Sequence, residues 1–204
     1  MRRGFTLVEM LVVIGIIAII SAAAVGSYGY ATKKAQIARG RELVSNVSTA
    51  LISIFQERGR WPEVLVNANG ADDYRLNARA GAVLARKNAM SLSCREDDSG
   101  QYVLTGLDRL GVADPWAQAT LRKKKNASLS TRVSTGGTVS DHIIRFAIDV
   151  DGIGITTANV CGKTIRVRAS AIVWSCGPDG KFGSLDDMGR SDDIFSFREG
   201  QIIK

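Results

Sequence analysis

One carboxylate lies inside a long apolar segment near the start of the chain. Glu9 is the only charged residue in the run from Phe5 to Val25. A helix needs a run of about 20 apolar residues to span a bilayer, so this segment is long enough. A charged side chain at the centre of such a helix costs about 2.5–3.5 kcal/mol on insertion scales. Glu9 therefore needs a compensating partner.

The nearest basic groups lie just before the apolar run. Arg2 and Arg3 precede it, and cleavage after Gly4 would create a new α-amine on Phe5. That amine would lie about one helical turn from Glu9. We expect the Phe5 amine of a neighbouring copy of the chain to neutralise the Glu9 carboxylate.

The segment from Gly4 to Glu9, which reads Gly-Phe-Thr-Leu-Val-Glu, resembles the N-terminus of the type IV pilin and pseudopilin superfamily. The short basic leader and the aliphatic helix that follows also match. The resemblance implies that an integral membrane prepilin peptidase removes residues 1–4 and methylates the Phe5 amine. It also implies that Glu9 guides docking of the subunit into a helical filament, with residues 5–25 as a transmembrane span.

Two other interpretations of the apolar run stay open. Ala22-Ala23-Ala24 could be the cleavage site of a secretory signal peptide. The run is long for such a peptide, however, and its helical pattern continues past that site. The run could also be a plain membrane anchor. Basic residues flank it on both sides and leave its orientation open, so the periplasmic C-terminal part is predicted from the resemblance.

A second segment with chemical potential lies near the C-terminus and contains crowded carboxylates. Its aspartates are Asp179, Asp186, Asp187, Asp192 and Asp193. Crowded carboxylates repel one another unless a cation lies among them. Calcium, which takes about 6–8 oxygen ligands in a flexible geometry, fits this composition best. Zinc is not predicted, because His142 is the only histidine and the cysteines are far apart along the chain.

This acidic segment resembles the calcium loop of the major pseudopilins of type II secretion. The resemblance implies that Asp179, the pair Asp192-Asp193 and the carbonyl of Cys176 bind a structural calcium ion. The segment is longer than expected, so Asp186-Asp187 is a competing pair. An acidic, solvated loop without an ion stays an alternative. Trp61-Pro62 and Asp114-Pro115-Trp116 also resemble paired motifs of these pseudopilins.

A single long helix is predicted from about Phe5 to Arg58. After Gly26, apolar residues continue to recur at intervals of three and four, the spacing of one helix face. These positions include Val44, Val47, Leu51, Ile54 and Phe55. The stripe predicts that the second half of the helix packs on a globular domain. Pro62 disfavours helix at the preceding residue, so the helix should end near Gly59.

The remaining residues, 59–204, are predicted to form one globular domain with an antiparallel sheet. Runs rich in β-branched residues predict strands at Ile143–Asp149, Thr164–Arg168 and Ala171–Ser175. The intervening predictions are a helix over Leu76–Met90, a short strand over Gln101–Leu104 and a turn at Asp114-Pro115-Trp116. The fold class is therefore α+β, with a long N-terminal helix packed on a C-terminal antiparallel sheet.

Other features are given structural interpretations. Asp149-Val150-Asp151-Gly152 opens like an EF-hand loop but lacks its closing Glu, so a hairpin turn is predicted. Among the three possible disulfides, Cys161–Cys176 is preferred. The formal net charge is +7, but the basic run Arg122–Lys125 has no adjacent aromatic residue, and we predict a solvated loop rather than a nucleic-acid site. His142 and a cysteine are not expected to form a catalytic pair.

The sequence therefore predicts a non-enzymatic subunit of a type II secretion pseudopilus that helps to drive protein export across the outer membrane. We expect a single-pass protein of the bacterial inner membrane with its C-terminal domain in the periplasm. The implied partners are copies of itself, minor pseudopilins, the inner-membrane assembly platform and the prepilin peptidase. The alternatives are a type IV pilin and an anchored calcium-binding domain that does not polymerise.

Overall fold

The computed structural model of the protein describes residues 6–87, 89–183 and 192–203. The chain forms two units, Met1–Ala38 and Arg39–Lys204. The predicted long N-terminal helix is confirmed as α1, Leu7–Arg58. It ends at Gly59, whose φ of +65° is a left-handed conformation that glycine adopts without a steric penalty.

Within Met1–Ala38, the large aliphatic side chains of α1 from Leu7 to Ile20 lie on the surface. Their exposed fractions range from 45% at Val13 to 82% at Leu7. Among the residues that the structure describes, no helix combines the length and hydropathy required to cross a membrane. The membrane span at residues 5–25 stays a prediction.

Within Arg39–Lys204, α1 buries one face. Val44, Val47, Leu51 and Ile54 are each at most 1% exposed. Their spacing of three and four residues places them on one stripe, and this part of the sequence prediction is confirmed. Phe55, at the edge of that stripe, stacks on Trp61 with ring centroids 4.7 Å apart.

Two short helices and a hairpin follow α1. Their bounds are α2 Glu63–Ala68, α3 Ala78–Arg86, β1 Cys94–Glu96 and β2 Tyr102–Leu104. Helix α3 begins after the predicted start at Leu76 because Asn77 caps it, and it ends at Arg86, before the predicted Met90. The Asn77 side chain accepts the N–H groups of Arg79 and Ala80 at 3.1 and 3.0 Å.

Helix α4, Pro115–Lys123, begins where a turn was predicted. Asp114 Oδ1 accepts the backbone N–H groups of Trp116 and Ala117 at 3.1 and 3.0 Å. An Asp cap followed by Pro at the first helical position is a favourable helix start. The interpretation of Asp114-Pro115-Trp116 as a turn alone is therefore wrong.

Two three-stranded antiparallel sheets make up the C-terminal part. One has the order β3-β6-β7 and the other β4-β5-β8. The bounds are β3 Arg145–Ile148, β4 Thr156–Val160, β5 Lys163–Val167, β6 Ala171–Ser175, β7 Ile194–Phe195 and β8 Ile202–Ile203. The predicted strands correspond to β3, β5 and β6, whereas β4 was not predicted. The α+β class with antiparallel strands is confirmed.

The sheets bury a shared apolar core. Its members include Ala147, Val160, Val167, Ile172, Trp174 and Phe197. Strand β6 is buried at all five positions, whereas β4 alternates between buried and exposed residues. Alternation is the pattern of a strand with one solvated face, so β6 is the more enclosed of the two.

Arg145 connects the middle of the chain to β3. Its Nε and Nη2 donate to Asp73 Oδ2 at 3.0 and 2.7 Å, and its guanidinium carbon lies 4.4 Å from the Phe182 ring centroid. Planar, charge-assisted contacts of this kind suit arginine better than lysine. The sequence suggested no role for the segment around Asp73. In the structure, this segment is held against strand β3 by the contacts of Asp73 with Arg145.

Candidate functional site

Glu9 is bound by its own chain at the start of α1. Its Oε2 accepts the Thr6 backbone N–H at 2.8 Å and the Thr6 hydroxyl at 2.9 Å. In return, the Glu9 N–H donates to Thr6 Oγ1 at 3.3 Å. This reciprocal arrangement is a capping box, which satisfies donors at a helix N-terminus. The spacing Thr-x-x-Glu before an apolar run could have revealed it in the sequence.

The capping box bears on the predicted pairing of Glu9 with the Phe5 amine, which stays a prediction. These contacts already give Glu9 hydrogen-bond partners, and its position in the first turn favours a negative charge. Two of these bonds end on Glu9 Oε2, and the third comes from the Glu9 backbone N–H. The Glu9 side chain is exposed. The carboxylate therefore remains accessible to a further donor. Gly4 and Phe5, the predicted cleavage and methylation positions, lie outside the described residues.

The predicted calcium ligands have separate local contacts. Asp179 Oδ1 accepts the Lys181 N–H at 2.8 Å. Asp193 is buried, and its Oδ2 accepts the Gly183 N–H at 2.7 Å. Asp192 is exposed. The competing pair, Asp186 and Asp187, lies outside the described residues.

Close backbone packing nevertheless joins the two ends of this segment. A Cβ on Gly177 would fall 2.3 Å from the Asp192 carbonyl oxygen. Only glycine permits this approach, because Gly177 also has a φ of +66°. The backbone after Cys176 thus lies against Asp192, which is compatible with carbonyl ligands from one side and carboxylates from the other.

Another group of metal-type donors lies in the core. In the ranges 6–87, 89–183 and 192–203, this group consists of Asp114, His142 and Cys176, whose ligand atoms all lie within 4.8 Å of one another. All three residues are fully buried. The sequence-based expectation that His and Cys are not clustered is wrong. Chain separation concealed the cluster, because its members come from the α4 cap, the segment before β3 and the end of β6.

Hydrogen bonds fix the Asp114–His142 pair. His142 Nδ1 lies 2.8 Å from Asp114 Oδ2, and His142 Nε2 lies 2.9 Å from the Gly136 carbonyl oxygen. The Ser175 hydroxyl donates to the same Asp114 Oδ2 at 3.2 Å. Burial alone would lower the pKa of His142, but the hydrogen bond and charge of Asp114, with smaller contributions from Gly136 and Asp141, raise it above its ordinary value.

Cys161 and Cys176 show no sign of nucleophilic activation. Burial, followed by the Asp114 carboxylate, raises the pKa of the Cys176 thiol. Burial and then Asp193 raise the pKa of the Cys161 thiol to about 11. A reactive cysteine needs a lowered pKa. All three cysteines, including Cys94, are free, so the preferred Cys161–Cys176 disulfide is not present.

The Asp149 segment forms a turn, but not a hairpin. Asp149 Oδ1 and Oδ2 accept the N–H groups of Gly152 and Gly154 at 3.0 and 2.6 Å. The turn joins β3 to β4, which belong to different sheets. Both carboxylate oxygens therefore organise the backbone, as short Asp side chains commonly do in turns.

Comparisons with known proteins identify the class of the N-terminal segment. Residues 1–25 match the family described as the prokaryotic N-terminal methylation motif. A type IV major pilin protein of Neisseria gonorrhoeae is 33% identical over 63 residues, 31% of this chain and 38% of the pilin. A fimbrial protein of Neisseria meningitidis serogroup B is 32% identical over 62 residues, 30% of this chain and 36% of that protein.

A relative from Escherichia coli matches a longer part of the chain. The prepilin peptidase-dependent protein D of Escherichia coli K12 is 29% identical over 119 residues, 57% of this chain and 82% of that protein. The chain thus spans less than half the length of the Neisseria relatives but most of the Escherichia one. No solved structure matches.

These findings confirm the resemblance to the type IV pilin and pseudopilin superfamily. The N-terminal segment carries a prepilin-type methylation motif, and the chain is similar to type IV pilin proteins and to a prepilin peptidase-dependent protein. The motif also indicates membrane anchoring.

Proposed function

We propose that this pilin-like chain is a structural subunit of a type II secretion pseudopilus, which polymerises through the first part of α1 and helps to move proteins across the outer membrane. The observation that carries the proposal is the exposed apolar surface of α1 from Leu7 to Ile20, which surrounds the capped Glu9. Full burial of one large aliphatic side chain is worth about 1.5–3 kcal/mol. Exposed side chains from Leu7 to Ile20 therefore provide a large driving force for association.

We expect lipid, and then neighbouring copies of the chain, to pack against the exposed apolar surface of α1. Before assembly, residues 5–25 would anchor the subunit in the inner membrane with the unit Arg39–Lys204 in the periplasm. After assembly, the same residues would pack in the filament core. The methylation motif supports this order, because its processing requires a membrane peptidase acting between Gly4 and Phe5.

Glu9 is the proposed docking group. Thr6 holds the carboxylate at the first turn of α1 through the Oε2 contacts. Its exposure leaves it able to accept the Phe5 amine of a neighbouring subunit. Such a pair would become strong where apolar helices exclude water, because charge interactions increase as the dielectric constant falls.

The remaining partners follow from this assignment. The prepilin peptidase would process the chain, and the inner-membrane assembly platform and minor pseudopilins would start and extend the filament. A type IV pilin used for adhesion, motility or DNA uptake is the second candidate, and the similarity to the Neisseria pilins favours it.

Calcium is proposed as a structural ion of the acidic segment. Asp179, Asp192 or Asp193 and the Cys176 carbonyl would hold it, with Asp186 and Asp187 as alternative ligands. The close approach of Gly177 to Asp192 supports a shared site. Calcium at 100 times its dissociation constant would stabilise the folded unit by about 2.7 kcal/mol.

Calcium removal tests this ion and separates the two filament classes. We expect a chelator to lower the unfolding temperature of the full chain. Asp179→Asn, which removes the side-chain ligand common to every version of the site, should abolish the response, while the exposed control Asp98→Asn retains it. Calcium dependence would favour the pseudopilin. An unfolding temperature indifferent to both chelator and calcium would refute the structural ion.

The N-terminal mass of the mature protein tests the filament-subunit class. The chain would be purified from membranes of cells with and without a prepilin peptidase. We expect a start at Phe5 with the added mass of one methyl group only when the peptidase is present. An intact Met1 in both cells, or a start near Val25, would rule out this processing.

A further inference from the structure

The buried pair Asp114 and His142 needs a proton or a metal ion between its two facing atoms. A backbone carbonyl can only accept hydrogen bonds, so His142 Nε2, 2.9 Å from the Gly136 carbonyl oxygen, must carry a proton. On the opposite side of the ring, Nδ1 lies 2.8 Å from Asp114 Oδ2. That oxygen already accepts the Ser175 hydroxyl. Two acceptors would repel one another there unless a proton or a metal ion lies between them.

The surroundings of the pair resemble the supports of a metal site. Metal-binding imidazoles commonly donate their second N–H to a backbone carbonyl, which fixes the ring and its tautomer. Gly136 provides that carbonyl for His142. The α4 amides of Trp116 and Ala117 hold the far oxygen of Asp114. Both donors are therefore oriented by groups outside the pair.

Cys176 adds a third donor of a different chemical type. Its Sγ lies within 4.8 Å of the ligand atoms of Asp114 and His142. The thiol now donates to the Asp141 carbonyl at 2.8 Å. Thiolate and imidazole together favour zinc and similar transition metals, whereas calcium and magnesium prefer oxygen ligands.

We propose that Asp114 Oδ2, His142 Nδ1 and Cys176 Sγ form a buried binding site for Zn²⁺ or a similar transition-metal ion. This site is distinct from the calcium ligands proposed for the acidic segment, since it uses the Cys176 sulfur rather than its carbonyl oxygen. It would fasten the start of α4, the segment before β3 and the end of β6 to one another.

The net charge of the site permits the exchange of two protons for one divalent metal ion. Without metal, the site holds one carboxylate, one imidazolium and one neutral thiol, so its net charge is zero. With Zn²⁺, it holds one carboxylate, one neutral imidazole and one thiolate, and the net charge is again zero. The protons on Nδ1 and Sγ leave, and no oxidation or reduction occurs. Loss of the thiol proton also frees the Asp141 carbonyl as a candidate fourth ligand.

Cobalt provides a direct test, because a cobalt–thiolate bond produces a near-ultraviolet charge-transfer absorption that oxygen ligands do not. The full chain in detergent micelles would be stripped with a chelator and titrated with Co²⁺. The key sample is the Cys94→Ser, Cys161→Ser double variant, in which Cys176 is the only thiol. Both replaced residues are partly exposed, so this variant is expected to fold.

We expect that double variant to develop the band with one equivalent of Co²⁺ and to lose it when Zn²⁺ is added. Cys176→Ser, which retains the other two cysteines, should give no band. Absence of the band from the double variant would overturn the proposal even if Cys176→Ser fails to fold. Persistence of the band in Cys176→Ser would overturn it as well. Neither outcome bears on the filament proposal, which does not use this site.

Discussion

Helix α1 has apolar residues both before and after Arg39, but only those after Arg39 are buried by the chain itself. Leu51 and Ile54, in the unit Arg39–Lys204, have no exposed surface, whereas Leu7 and Leu11 are 82% and 66% exposed. The later part has one apolar face against the globular core, and the earlier part is apolar at nearly every position. The second part of the helix thus belongs to the core of the globular unit, and we propose that the first part is the surface through which the subunit assembles.

The contrast predicts a large effect when the buried part is truncated. Leu51→Ala should reduce the free energy of unfolding by about 2–5 kcal/mol, because it removes packed atoms and leaves a cavity. Denaturant unfolding followed by tryptophan fluorescence measures this quantity. All the tryptophans, Trp61, Trp116 and Trp174, are buried in Arg39–Lys204, so the signal reports this unit alone.

Leu11→Ala is the matched control in the exposed part. Its effect on the same unfolding free energy should stay within about 0.5 kcal/mol, as for surface substitutions, while the yield of filaments falls. Equal destabilisation by the two variants would show that the two parts of α1 do not differ in the proposed way.

Substitutions at two glycines of α1 test the same difference between its buried and exposed parts, with an effect of intermediate size. A Cβ on Gly40 would lie 2.7 Å from Ile194 Cδ1 and 3.2 Å from Trp116 Cη2, whereas one on Gly29 would meet nothing within 4 Å. Gly40→Leu should therefore cost about 1–3 kcal/mol of unfolding free energy through overpacking. Gly29→Leu should leave the tryptophan-monitored transition unchanged, and a comparable loss there would contradict the assignment of Gly29 to an open surface.

The smallest predicted effect concerns the cap of α1. Thr6→Val removes the hydroxyl that contacts Glu9 but keeps the backbone N–H bond to Oε2. We expect a partial decrease in filament yield, measured by shearing and immunoblotting. Thr6→Ser, which restores the hydroxyl, should recover it. A wild-type yield from Thr6→Val would show that the backbone contact alone positions the carboxylate.

Helix α1 could be predicted from local sequence patterns. Features that depend on contacts between residues far apart in the chain could not. The apolar stripe through Val47 and Leu51 and the end near Gly59 depend on residues a few positions apart. In contrast, the cluster of Asp114, His142 and Cys176 depends on a helix cap, a loop and a strand end that meet only after folding. Their spacing along the chain is not that of a known metal motif, so a zinc site could not be predicted from it.

Two local signals carry more than one meaning. Asp114-Pro115 has the composition of a turn, but the same residues are also a strong helix start. The Thr6 and Glu9 pair belongs to the processing motif and also has the spacing of a capping box. Strand β4, by comparison, contains Thr156, Thr157 and Val160, but the preceding Gly-rich turn obscured its beginning.

The most direct test of the central claim compares Glu9→Gln with Glu42→Gln in cells that contain the assembly machinery. Both substitutions remove one negative charge from an exposed position of α1, but only Glu9 is proposed to dock with a neighbouring subunit. Filaments would be counted by electron microscopy after immunogold labelling, with membrane fractionation to confirm insertion. We predict normal insertion of both variants, filaments from Glu42→Gln and few or none from Glu9→Gln. Abundant filaments from Glu9→Gln would contradict the proposed assembly through Glu9.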